Sequence, residues 1–221
     1  MKFVHPLIFF LDEDLQKSAQ MLTNKYLETN IKNCCQVLVC SLLYMVGIRN
    51  KKACKYYFSK ENKRESLQKF FPTWPLKESP KFVKYNSQES RWCRKCKNHY
   101  DVILNYFEEL LNEYSFRFGH DHDLYDMLDF LKMEQYHISV RTGTKVVYVE
   151  NLKIVLPWKS LPLKFRKRDI IAGYRAYYKS ILIDPFFEYE KSKRSIPEYI
   201  FEGNDIEEIY QTPSIVNSMP R

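Results

Sequence analysis

The chain has 221 residues, 45% of them hydrophobic, and a formal charge of +8 at pH 7. That length allows one well-formed core, or a domain with an appended piece. No stretch reaches the ~18–20 apolar residues of a membrane span, and the cationic balance favours anionic partners: nucleic acid, nucleotides or acidic lipid.

The opening run FVHPLIFFLD (3–12) reads as a short buried strand or extended segment. Asp12, Glu13 and Asp14 follow at once with no small-residue cleavage site, so a signal peptide is not expected. The chain is therefore expected in the cytosol or nucleus. A first helix is predicted to start near Asp12 or Asp14 and to cover LQKSAQML. In a second, Ile31, Cys34, Cys35, Leu38, Leu42 and Met45 share one face, widened by Val39, Leu43 and Val46. It is apolar almost all round at its end, which predicts a central place in the core, and Gly47 is read as its stop. If this helix is continuous from Lys25 to Gln36, eleven residues bring both side chains to one flank.

Residues 49–90 read as a basic, Pro-rich excursion, carrying seven Lys/Arg over 49–64 and then Pro72, Pro75 and Pro80. Its Lys51, Lys52 and Lys55 stand beside Tyr56, a mixture that suits phosphates and stacked bases. A long helix is predicted to begin near Ser90: Trp92, Cys96, Tyr100, Ile103, Phe107, Leu110 and Tyr114 recur at helical spacing. Arg94 lies at its start, and Gly119 ends it. Arg117 continues its stripe. Glu113, four residues earlier, offers an intrahelical pair; the other reading is an anion-facing arginine beside His122. HDHDLYDMLDFLKM (120–133) predicts a further helix capped by Asp121 or Asp123.

HISVRTGTKVVYVE (137–150) predicts an inserted β-hairpin about a Thr-Gly turn. A Pro-interrupted loop follows, with Lys164, Arg166, Lys167 and Arg168. In IIAGYRAYYKSIL (170–182) the large apolar residues form a single helical stripe that includes Tyr174, with Arg175 on its edge. A guanidinium there keeps its proton and must find a carboxylate, a carbonyl or an external anion. FFEYEKSKRSIPEYIF predicts a second helix and a packed turn, and 203–221 a mobile tail.

The fold expected is mainly α: a single helical domain over 1–202 with a hairpin insertion at 137–150. The six cysteines (34, 35, 40, 54, 93 and 96) are expected as reduced thiols. Cys93-x-x-Cys96 lacks the second pair that zinc requires, so packing is the preferred reading. Neither a metal nor a cofactor is expected, and no Gly-rich phosphate loop or hydrolase motif is present.

Three blocks carry a family likeness: FFLDEDLQKSAQMLTNKYLETNIKNCCQVL, WCRKCKNHYDVILNYFEELLNEYSFRFGHDH and LPLKFRKRDIIAGYRAYYKSILIDPFFEYEKSKRSIPEYI. The chain resembles, as a divergent member, uncharacterised helical proteins encoded by tailed phages and large DNA viruses. Lys25, Gln36, Trp92, Arg94, Arg117, His122, Tyr174 and Arg175 match that pattern. Tyr26, Thr29 and Asn33 stand where the family has titratable groups, which implies a loss of catalytic potential. The likeness implies a viral nucleic-acid-associated accessory protein of replication, transcription or packaging, in host cytoplasm, a viral factory or the virion, that binds phosphate groups through a basic surface and through a ring-lined pocket on which cations from three helices converge. A structural or interaction protein that docks other viral proteins is the alternative. An enzyme acting on a nucleotide or modified base is the second alternative.

Overall fold

The computed structural model describes residues 6–48, 71, 75, 87–95, 97–141, 157–190 and 192–202. Among these the architecture is helical, without strands. Helix α1 (Leu15–Gln20) starts where the Asp14 carboxylate accepts the amides of Gln16 and Lys17 at 2.9 and 3.2 Å, which supplies partners for two otherwise unmatched donors. Helix α2 (Asn24–Met45) is continuous and buried along most of its length. It stops at Gly47, whose φ of 94° suits glycine, and the carbonyls of Tyr44 and Leu43 accept the next two amides.

The periodic stripe from Trp92 to Tyr114 is divided between two helices, not one. Helix α3 (Gln88–Cys93) ends at Arg94, and α4 runs Lys97–Phe118. His99 explains how Trp92 stays in phase across the break: its ring stacks on the indole at 3.9 Å, and Nδ1–H donates to the Trp92 carbonyl at 2.8 Å.

Helix α5 (Asp126–Arg141) corrects two expectations. It begins at Asp126 and not directly after a cap at Asp121 or Asp123, and residues 137–141 continue it, so the inserted hairpin is not supported; residues 142–150 lie outside the described ones. Met127, Leu128, Phe130 and Leu131 are buried, and this face fixes the helix against α2 and α4. The strand preference of Ile138 and Val140 is a fraction of a kcal/mol per residue, too weak to stop a hydrogen-bonded ladder already anchored by packing.

Helix α6 (Ile170–Ile181) is capped by Asp169, which accepts the Ala172 amide at 3.1 Å. Short α7 (Pro185–Glu190) follows, and single 3-10 turns occupy Trp158–Ser160, Leu163–Phe165 and Glu198–Ile200. Helices α1 and α2 pack on α4, and α3 packs on α2. Of the basic excursion, Phe71 is buried edge-on against Phe130 at 5.8 Å, and residues 88–90 open α3. Lys51, Lys52, Lys55 and Tyr56, like the tail at 203–221, fall outside the described residues.

The core has an unusual centre. Leu7 to Leu11 are five successive buried residues with no ladder partner among the described residues. Phe9 packs on Tyr177 and Tyr178, and Phe10 on Tyr106 and Tyr174. Buried backbone polar groups need partners, and here side chains provide them. Leu7 N–H donates to Glu89 and Leu11 N–H to Ser18, each at 2.8 Å; Phe9 N–H reaches Asn30 at 3.4 Å. Asn33 donates to the Leu7 carbonyl, Tyr106 to that of Phe9 at 2.7 Å, and Arg175 to that of Leu11 at 2.6 Å.

Candidate functional site

Arg117 is an internal cap. Its buried guanidinium donates to Glu113 at 2.6 Å, to the Leu22 and Gln20 carbonyls at 2.7 and 3.0 Å, and to Asn24 at 3.1 Å, with a longer contact to Ala19. These bonds use all five of its N–H groups, and they close the carbonyl end of α1. The intrahelical pair with Glu113 is therefore present. Glu113, also buried, accepts a second, two-pronged contact from Arg194 at 2.9 and 2.7 Å. Those hydrogen bonds hold the Arg194 pKa above its usual value, and its guanidinium lies over the Phe116 ring.

Arg175 is likewise turned inward: besides the Leu11 carbonyl, it pairs with Asp12 at 2.8 Å and lies over the Tyr199 ring. Tyr174 is fully buried; its hydroxyl meets Ser160 at 3.0 Å and the Pro157 carbonyl at 3.3 Å. Burial drives its pKa up, as it does for Tyr106. Lys25 is exposed, with Nζ 5.2 Å from the centre of the Tyr26 ring. Gln36 is half-buried. Arg94 lies over Tyr44 at 4.3 Å.

Lys25, Arg117 and Arg175 were expected on one anion pocket; Arg117 and Arg175 are each paired with a carboxylate of the chain, Glu113 and Asp12. Their partners do not overlap, and the two arginines serve carbonyls and carboxylates of the chain itself. The reason is desolvation: a guanidinium on the rim of a packed face is held best by partners already buried beside it. An open cleft of about 530 Å³ does exist, lined by Phe186, Phe187, Tyr189, Arg194 and Ile196 among others. None of the expected site residues lines it.

His122 also has a local role. Its Nδ1 accepts the Leu124 amide at 3.0 Å, and its ring meets Tyr114 edge-on at 4.8 Å. Burial lowers its pKa. The ring, and not Asp121 or Asp123, organises the turn before α5; Asp121 instead accepts a bond from Ser115 at 2.7 Å. Cys34, Cys35, Cys40 and Cys93 are free and buried. Among the described residues no three His, Cys, Asp or Glu side chains are grouped as a metal would require, and no helix is long and apolar enough to cross a membrane.

The basic loop ahead of α6 faces outward. Ser160 and Leu161 are buried and anchor it. Arg166 fastens it by donating to the Leu161 and Lys159 carbonyls, each at 2.8 Å. Gly173 lets α6 approach it: a Cβ there would lie 2.4 Å from the Phe165 carbonyl oxygen. Lys159, Lys164, Lys167 and Arg168 remain exposed. Among the described residues none of Lys164, Lys167 and Arg168 forms an ion pair. The sequence flagged Lys164, Arg166, Lys167 and Arg168 together; the structure gives Arg166 the bracing role and leaves the other three outside.

Asn30, Asn33, Ser18, Glu89 and Tyr106 were not expected as key polar residues. A signal existed in α2, where Asn30 and Asn33 interrupt an apolar face at helical spacing, and a buried amide needs a partner. No family model, curated protein or solved structure matches the chain.

Proposed function

We propose that this chain is a nucleic-acid-associated accessory protein that meets phosphate groups at its surface. The supporting observation is the loop at 157–168, a braced segment that displays Lys164, Lys167 and Arg168 without carboxylate partners among the described residues. Cations held in place lose less freedom on meeting a phosphate than cations on a loose chain. The net charge of +8 adds long-range attraction for the same partner. The viral setting rests on the likeness to phage and large-virus proteins. The reading assigns no catalysis, because His122 and the inward arginines have structural partners.

The test is anisotropy of a labelled DNA duplex, and of its RNA counterpart, titrated between about 50 and 200 mM salt. Three phosphate contacts give a log–log slope of roughly −3, and Lys164→Ala/Lys167→Ala/Arg168→Ala flattens it. Binding absent at low salt, or indifferent to salt, contradicts the proposal.

A further observation favours protein docking as a second reading. Ile183, Phe186 and Phe187 are exposed on and beside α7, next to the open cleft. Co-purification of a stoichiometric viral protein, lost in Phe187→Ser, tests it.

A further inference from the structure

Leu163 is the anomaly of the basic loop. It is 80% exposed, yet it opens a 3-10 turn (Leu163–Phe165) closed by backbone and side-chain hydrogen bonds. Pro162 precedes it and restricts the backbone. Behind it the Phe165 amide bonds the Pro162 carbonyl at 2.9 Å, and the Arg166 amide bonds the Leu163 carbonyl at 3.1 Å. Arg166 then ties the flanking carbonyls of Lys159 and Leu161 together. The neighbouring apolar side chains turn away from solvent: Leu161 is buried, and Phe165 is half-buried with its ring against Tyr177 and Lys164 over it. Hence one leucine stands forward on a rigid turn, with exposed cations before and after it in the chain.

A scattered exposed leucine needs no explanation. Two features set this one apart: its backbone is fixed, and the charges beside it suit phosphates. Proteins that deform a duplex push one apolar wedge into a base step while cations hold the flanking backbone. We propose that Leu163 is such a wedge, entering a base-pair step of a bound duplex while Lys164, Lys167 and Arg168 meet the phosphates around it. This inference rests on the nucleic-acid reading above and goes beyond phosphate binding to deformation of the partner. An acidic lipid surface is the competing use of a basic, apolar tip. It is disfavoured because peripheral anchoring draws on a broad apolar face, and among the described side chains of 157–168 Leu163 alone is a large apolar group in the open.

The experiment uses the full chain and duplexes carrying 2-aminopurine at a pyrimidine–purine step, the most easily unstacked kind. Wild type is expected to raise the fluorescence on binding, as the base leaves its stack. Leu163→Ala, at an exposed position and checked for folding by circular dichroism, is expected to abolish the rise and to weaken binding roughly tenfold, the worth of one buried leucine. Its salt slope should stay that of wild type. Equal fluorescence and affinity in Leu163→Ala overturn the wedge and leave the surface reading intact; loss of all duplex binding in wild type overturns both. Leu163-dependent sedimentation with phosphatidylserine vesicles, without any rise on DNA, assigns the tip to lipid and also refutes the wedge.

Discussion

Arg175 and Leu11 are 164 residues apart in sequence, and the Nε of one donates to the carbonyl oxygen of the other at 2.6 Å. The same guanidinium reaches Asp12 at 2.8 Å. The contact closes the end of a buried non-helical segment, after which the chain turns into α1. The arginine at the edge of the apolar stripe of α6 therefore clasps the N-terminal segment to that helix.

Arg175→Ala is expected to lower stability by about 1–3 kcal/mol, the usual cost of leaving a buried acceptor without its donor. Asp12→Asn should cost under about 1 kcal/mol, because that ion pair is partly solvated. Urea unfolding followed by far-UV circular dichroism separates the two. Equal losses would place the stabilisation in the ion pair and not in the Leu11 carbonyl.

Asn33 gives a sharper test of the buried segment. Its Nδ2 donates to the Leu7 carbonyl, so Asn33→Ala removes a donor at a cost of about 1–3 kcal/mol. Asn33→Asp should be worse at neutral pH, since it sets a carboxylate against that carbonyl. Burial and repulsion raise the folded-state pKa of the introduced carboxyl above its unfolded value of about 3.9. The folded chain then binds the proton more tightly, so the penalty is full above the raised pKa and lessens as pH falls through it. Unfolding midpoints of both variants across an acid series check the sign; a penalty that grows on acidification would exclude this geometry.

His122 predisposes the fold to acid. Its Nδ1 must lack a proton to accept the Leu124 amide, and burial, the largest cause, lowers its pKa, with Lys32 and His120 adding to the effect against Asp123 and Glu28. The unfolded chain therefore takes up the proton first. Stability should be complete above the unfolded histidine value of about 6.5 and fall as pH drops below it. His99 shifts the same way, chiefly through burial, so His122→Asn should flatten this acid dependence without abolishing it. Chemical denaturation at about pH 7.5 and 5.5 reads the difference; identical slopes would exclude His122 as a contributor.

Much of the helical frame was legible in the sequence because its periods are strong and two of its ends are chemically explicit: Asp14 before α1 and Gly47 after α2. The break between α3 and α4 was hidden because Trp92 keeps helical phase through its stacking on His99. The false hairpin came from β-branched residues, whose local preference yields to a helix already packed by Met127, Phe130 and Leu131. The site was harder to read. Periodicity placed Arg117 and Arg175 at the edge of apolar faces, but it holds no record of what lies opposite. Glu113 was visible as a neighbour in sequence; the carbonyls of Leu11, Gln20 and Leu22 could not be, since any residue supplies a carbonyl. Only the fold decides which ones lack a donor.

The division between inward arginines and outward cations is best tested by a single comparison of duplex affinity and its salt slope in two folded variants. Lys164→Ala/Lys167→Ala/Arg168→Ala is expected to flatten the log–log slope by up to about 3, while Arg175→Ala, measured where it is still folded, keeps wild-type affinity and slope. Undiminished binding by the surface variant, or its loss in folded Arg175→Ala, would contradict the division and return the anion site to the interior.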